Sequence, residues 1–166
     1  MKTNNTLRSV LASGIIFLVA VSSGAQTKGA AAKSAPDAEF KELIEGYYAA
    51  WSTLNAENPA KYYAKDADLI FYDIAPLKYN DWAEYKEGVK KAFFDVMSSA
   101  KLTPNMNDLK VTRRGNMAWT TVTFHLSAVP KAGGSMELDG RHTAIWEKRA
   151  GRWVIVHEHV SAPLPG

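Results

Sequence analysis

"RHTAIWEKRAGRWVIVHEHVSAP", residues 141–163, holds three of the chain's four histidines and the hairpin on which the fold turns. From Met136 onward apolar and charged side chains alternate. Met136, Leu138, Gly140, His142, Ala144 and Trp146 share one face; Glu137, Asp139, Arg141, Thr143, Ile145 and Glu147 share the other. Period-two alternation marks a half-buried strand. The first face must turn inward, because burying the second would strand four charges. His142 is thereby an inward histidine on a mostly apolar face.

The turn "KRAGR" sets the register of the strand that follows. A two-residue Ala150-Gly151 turn asks Ala150 for a positive φ, which is costly for a residue with a Cβ. A type I turn ending on a left-handed Gly151 avoids that cost. This register sets Lys148 opposite Arg152, Trp146 opposite Val154 and His142 opposite Glu158. Val154, Val156, Glu158 and Val160 then point inward, and Trp153, Ile155, His157 and His159 outward. The other register brings His159 beside His142. An inward His142–Glu158 pair is either a poised acid/base or a satisfied buried contact. An outer face bearing Trp153 and Ile155 needs cover, and a second copy of the chain is the natural cover, so a homodimer is expected. His157 and His159 have no third ligand and no zinc-motif spacing, so they read as interface or surface residues ahead of a metal site. No metal and no cofactor is expected.

Upstream, residues 37–55 carry Phe40, Leu43, Ile44, Tyr47, Trp51 and Leu54 at helical spacing, with Asp37 as a cap. Asn58-Pro59 opens a short second helix that ends near Tyr62 and Tyr63. "DLIFYDIAP", residues 68–76, reads as a strand stopped by Pro76. A third helix is expected over 81–99, with Trp82, Tyr85, Val89, Phe93 and Val96 on one side. Strands follow over 109–113, 117–129, 136–149 and 152–161. Helices first and an antiparallel meander after them make an α+β domain, with the helices on one face of a curved sheet.

The first 25 residues have a different character. Lys2 and Arg8 precede an apolar run over 10–21, and Ser23-Gly24-Ala25 supplies small residues at the positions a signal peptidase reads. Residues 1–25 are therefore expected to be a secretory signal peptide, with an uncleaved anchor as the alternative; the run is short for a spanning helix. A periplasmic or secreted location follows, with no stable membrane insertion after cleavage. Residues 26–36, "QTKGAAAKSAP", lack large apolar side chains and read as a disordered linker. Residues 37–166 form the one domain. Removing Lys2 and Arg8 lowers the formal charge from +3 to +1, which speaks against nucleic-acid binding by bulk electrostatics. With no cysteine, disulfides, thiolate catalysis and Cys-ligated zinc drop out together.

The run "WEKRAGRWVIVHEHVSAP", residues 146–163, resembles the C-terminal hairpin of SnoaL-like domains in the nuclear transport factor 2-like superfamily. It is also similar to the end of the association domain of calcium/calmodulin-dependent kinase II. "YYAKDADLIFYDIAP", residues 62–76, resembles the superfamily's entry into its first strand. The resemblance implies a cone: a curved antiparallel sheet wrapped around a long N-terminal helix, with two further helices and a pocket at the open end. It also implies a small apolar ligand, and members include isomerases, cyclases and dehydratases. Ketosteroid isomerases use a carboxylate base on the first strand and a tyrosine on the first helix. Tyr47 falls on that tyrosine and Asp73 lies two residues beyond that base. Their second oxyanion donor, a protonated Asp, is not reproduced, since the aligned residues read Arg141-His142-Thr143-Ala144. The kinase association domain's pocket arginine aligns with Ala144.

The candidate catalytic residues are therefore Asp73, His142, Glu158 and Tyr47, and the candidate ligand walls Trp51, Tyr72 and Trp146. Two functions compete. One is cofactor-independent acid/base chemistry on a small apolar carbonyl compound. The other is a non-catalytic oligomerisation or interaction module working through the outer sheet face around Trp153, His157 and His159. His125 shares a strand face with Trp119, Thr121 and Thr123, and the pattern alone does not orient that face.

Overall fold

The computed structural model describes residues 38–164, apart from 67 and 75. The expected signal peptide, linker and Asp37 cap lie outside the described residues. Helix α1 (Ala38–Trp51) buries Phe40, Ile44, Tyr47, Tyr48 and Trp51. A 3-10 turn (Pro59–Tyr62) follows in place of a second α-helix. Strand β1 is only Phe71–Tyr72. Helix α2 (Trp82–Val89) is capped by Asp81, whose side chain accepts the Glu84 N–H. Strands β2 (Met97–Pro104), β3 (Lys110–Arg114), β4 (Met117–Pro130), β5 (Met136–Arg149) and β6 (Arg152–Ser161) complete the chain. The sheet is curved and unclosed, in the order β1-β6-β5-β4-β2, with β3 also on β4. It is an α+β domain, as expected, but the sheet is mixed, because β1 runs parallel to β6.

The third helix is shorter than its apolar spacing implies. Trp82, Tyr85 and Val89 are buried on schedule, but a π turn (Lys90–Phe94) follows, closed by Asp95 N–H donating to Lys90 O at 2.8 Å. The extra residue moves the buried phase from Phe93 and Val96 to Phe94 and Met97, leaving Val96 44% exposed. Met97 then begins β2, which pairs antiparallel with β4. Residues 97–99 are therefore strand, because pairing with β4 outweighs the local helical spacing.

The last hairpin also departs from its expected register, twice. Ala150 (φ 48°) and Gly151 (φ 81°) form a two-residue turn with both residues left-handed, the twist that suits a hairpin. Lys148 pairs with Trp153 and Glu147 with Val154. A β-bulge then leaves Val156 unpaired, between Trp146↔Ile155 and Ile145↔His157. Trp153 (5% exposed) and Ile155 (0%) consequently point inward, against expectation. Beyond the bulge the parity reverses, so Glu158 is buried and His159 exposed, as expected. Asn, whose short polar side chain bonds the local backbone, tolerates this left-handed conformation better than Ala; Ala150→Asn should raise stability by about 0.5–1 kcal/mol in urea unfolding. No gain would mean that the turn is relaxed around Ala150.

Two buried regions share α1. At its N-terminal end Phe40 meets Trp146 edge-on at 5.7 Å and Trp153 at 5.1 Å. Trp146 is fully buried and donates its indole N–H to Thr120 Oγ1 at 3.0 Å. At the C-terminal end Tyr47, Tyr48 and Trp51 face the inner sheet, and the candidate site lies there.

Candidate functional site

Glu158 is the centre of this end. It is fully buried and accepts hydrogen bonds from three phenols. Tyr85 O–H reaches Oε1 at 2.5 Å, Tyr47 O–H reaches Oε2 at 3.0 Å, and Tyr63 O–H lies 2.8 Å from both oxygens. His142 Nε2 stands 3.3 Å from Oε2, an ion-pair distance without hydrogen-bond alignment. A buried carboxylate costs several kcal/mol unless it is fully partnered, and these donors are its partners. Burial pushes the titration of Tyr47, Tyr63 and Tyr85 well up, and the Glu158 carboxylate pushes it further.

Each donor is positioned by its element. Tyr47 and Tyr48 are adjacent on α1. Tyr47 stacks on the His142 ring at 5.1 Å, and the Tyr48 hydroxyl bonds His142 Nδ1 at 3.2 Å. Tyr63 follows the 3-10 turn and stacks on Trp82 at 4.2 Å, with Lys65 Nζ over Trp82 at 4.0 Å. Tyr85 lies on α2. In the sheet Glu158 pairs with Ala144 and His142 with Val160, so His142 and Glu158 are diagonal neighbours rather than directly opposite. The side chains still meet, because both lie on the inner face.

In front of this cluster is a cavity of about 350 Å³. Its polar end is formed by Asp73, Tyr47, Tyr48, Tyr85 and His142; its walls include Trp51, Val89, Phe124, Leu126, Leu138 and Val160. Ile74, 51% exposed, and the exposed Ala92 mark its mouth. Ala92 and Phe93, both on the π turn, also line the cavity. Gly140 contributes by what it lacks: a Cβ there would overlap the ring of Phe124, a cavity wall.

Asp73 follows β1 at the cavity edge. Its Oδ1 accepts the Ile74 N–H at 2.7 Å. Burial raises its pKa from 3.8 to about 6; the Ile74 N–H opposes this, the Glu158 carboxylate adds to it, and His142 and Tyr85 oppose it. A carboxyl that titrates near 6 can take a proton and return it near neutral pH.

Of the expected site residues, Asp73, His142, Tyr47 and Trp51 border the cavity together. Glu158 stands behind it, reaching it only through Tyr47, Tyr85 and His142. Tyr72 and Trp146 do not line it. Tyr72 pairs with His159 across β1–β6, which turns it outward, 40% exposed and edge-on to His157 and His159. Trp146 lies four residues along β5 from His142, roughly 13 Å at strand rise, in the Phe40 core. His157 Nδ1 is held by Ile70 O at 2.8 Å. Among the described residues no group of three or more His, Asp or Glu is arranged to hold a metal. His125 takes the outer face, exposed between Asp139 and Glu137 at 2.8 Å each, which raise its pKa.

Tyr63, Tyr85 and Tyr48 are the residues the sequence reading missed. The signal was present: an inward Glu158 needs O–H or N–H donors, and the inward stripes are rich in tyrosine.

Solved structures with this fold include a nuclear transport factor 2 (NTF2-like) superfamily protein from Salmonella enterica serovar Typhimurium. It shares 21% identity and a TM-score of 0.70, covering 76% of this chain and 90% of that one. A candidate dehydratase of the NTF2-like family from Streptomyces avermitilis shares 13% identity at TM-score 0.66, over 76% and 95% of the chains. A candidate calcium/calmodulin-dependent protein kinase II association domain from Xanthomonas campestris shares 22% at TM-score 0.64, over 75% and 86%. At these identities the likeness shows the fold alone. No curated protein matches the chain. The family model of the SnoaL-like domain matches residues 41–165, most of the sequence, and the chain therefore belongs to the SnoaL-like domain family of the nuclear transport factor 2-like superfamily.

Proposed function

We propose that the cavity binds a small apolar molecule and that Asp73 moves a proton on it without a cofactor, in a step of the isomerase, cyclase or dehydratase type beside a carbonyl. The observation that carries this is Asp73: a half-buried carboxyl, titrating near 6, at the polar end of an otherwise apolar cavity. The base takes a proton from the carbon next to the carbonyl and returns it to the carbon frame, or the electron pair forms a C=C bond and expels a β-hydroxyl, which takes the proton back from Asp73 and leaves as water. An apolar cavity of about 150 Å³ takes benzene, so ~350 Å³ suits one or two rings.

The test is deuterium exchange beside the carbonyl, and dehydration, across one- and two-ring ketones and β-hydroxy ketones. A rate above buffer is expected that falls by about 100-fold or more in Asp73→Asn. Exchange with none of the panel, or an unchanged rate in Asp73→Asn, removes acid/base chemistry from the cavity.

A second reading concerns partners. With Trp153 buried, the outer working surface expected of an interaction module loses its main apolar anchor. Met117 (38% exposed) and Trp119 (40%), beside the half-buried Ile145, supply another on the same side. We place homodimerisation there, in an exported protein. Trp119→Glu should then convert a dimer to a monomer in sedimentation, and a persistent dimer would move the contact elsewhere.

A further inference from the structure

A phenol carries one hydrogen, and at the polar end of the cavity those hydrogens are committed inward. Tyr47 and Tyr85 both border the cavity, yet both donate to Glu158 behind it, at 3.0 and 2.5 Å. Tyr63 O–H lies 2.8 Å from both Glu158 oxygens and 3.0 Å from the Tyr47 hydroxyl, and whichever of the two phenols donates, the Tyr47 hydrogen stays on the inner side.

His142 follows the same pattern. A hydrogen on Nε2 avoids setting acceptor against acceptor across the 3.3 Å to Glu158 Oε2. Where Nδ1 carries no hydrogen it accepts from Tyr48, and the Tyr48 hydrogen is then committed as well. What faces a ligand is a set of lone pairs: the oxygens of Tyr47 and Tyr85 and the Asp73 carboxylate.

We infer that the ligand of this cavity presents a hydrogen-bond donor, a hydroxyl or an amine N–H, on an apolar frame of one or two rings, and that a molecule whose only polar group is an acceptor is disfavoured. This rests on the reading of the cavity as a small-molecule site. The physical reason is asymmetry: a donor entering among lone pairs gains hydrogen bonds, whereas a carbonyl oxygen there faces acceptors and loses its water. Among compounds open to Asp73 chemistry, hydroxylated ketones fit this end and simple ketones do not.

Titration calorimetry at pH 7.5 with 2-naphthol, 2-naphthaldehyde and naphthalene separates the two ideas. The expected order is 2-naphthol at least 10-fold tighter than both others. 2-Naphthaldehyde binding as tightly as 2-naphthol, or three equal affinities, overturns the donor rule and leaves the cavity a binding site. Binding of none of the three overturns the site itself and the rule with it. A second arm uses Glu158→Gln, whose amide N–H groups donate to the phenol oxygens and turn phenol hydrogens toward the cavity. The preference should then move toward 2-naphthaldehyde by at least 10-fold. An unshifted order in a folded Glu158→Gln protein also overturns the rule.

Discussion

Glu158→Ala is expected to cost about 4 kcal/mol or more, a large part of the roughly 5–15 kcal/mol that holds a domain together. The substitution does more than remove contacts. It takes the carboxylate acceptor away from the phenol hydrogens of Tyr47, Tyr63 and Tyr85, and each buried donor left unpaired costs about 1–3 kcal/mol. Tyr47 and Tyr85 border the cavity, where water can take over part of the lost bonding. Tyr63 does not border it and is 3% exposed, so only the Tyr47 hydroxyl, 3.0 Å away, remains to pair with it. The cavity left by the side chain adds to the cost. Urea unfolding followed by circular dichroism measures this directly. Tyr63→Phe should cost less, because it removes the donor instead of orphaning it. Combined with Glu158→Ala it should be strongly non-additive. A Glu158→Ala cost under 1 kcal/mol would show that the carboxylate does not organise this end of the core.

Asp73→Asn is expected to stabilise the protein at pH 7.5 by roughly 2–3 kcal/mol and to leave it unchanged near pH 4. The folded pKa of Asp73 is raised from 3.8 to about 6. The folded state therefore holds the proton more tightly than the unfolded state. For this group stability is greatest below about pH 4, falls as pH rises through 4 to 6, and is fully diminished above 6. A rise of that size corresponds to about 3 kcal/mol as an upper figure. Asparagine keeps an oxygen for the Ile74 N–H and cannot ionise, so it escapes the loss. Melting temperatures at the two pH values decide the matter. An equal offset at both, or a less stable variant at pH 7.5, would show that Asp73 is not strained by burial. A stabilising substitution at a cavity carboxyl is the mark of a residue kept for chemistry rather than for the fold.

These two residues also mark the boundary between what the chain reveals by itself and what folding decides. Local periodicity determined the α+β class. The α1 stripe is visible from Phe40 to Trp51, and the inner face of β5 is visible because its alternative would bury four charges. His142 is legible as a candidate because a polar group on an inward face needs a reason, and Tyr47 and Asp73 are legible through the resemblance to ketosteroid isomerases. The register of the last hairpin is not legible. Ala150 accepts a left-handed turn and Val156 bulges out because the β4–β5–β6 pairing and the burial of Trp153 and Ile155 outweigh the local penalties. The π turn is equally non-local: Met97 leaves a helical pattern to pair with β4. The assembly around Glu158 joins hydroxyls separated from it by 73 to 111 residues, through side chains on α1, α2 and the loop after the 3-10 turn. No window of sequence contains that contact. Sequence supplied a buried acid and many tyrosines; only the packing of α1 and α2 into the curved sheet brings three phenols to one carboxylate and leaves Asp73 at the cavity edge.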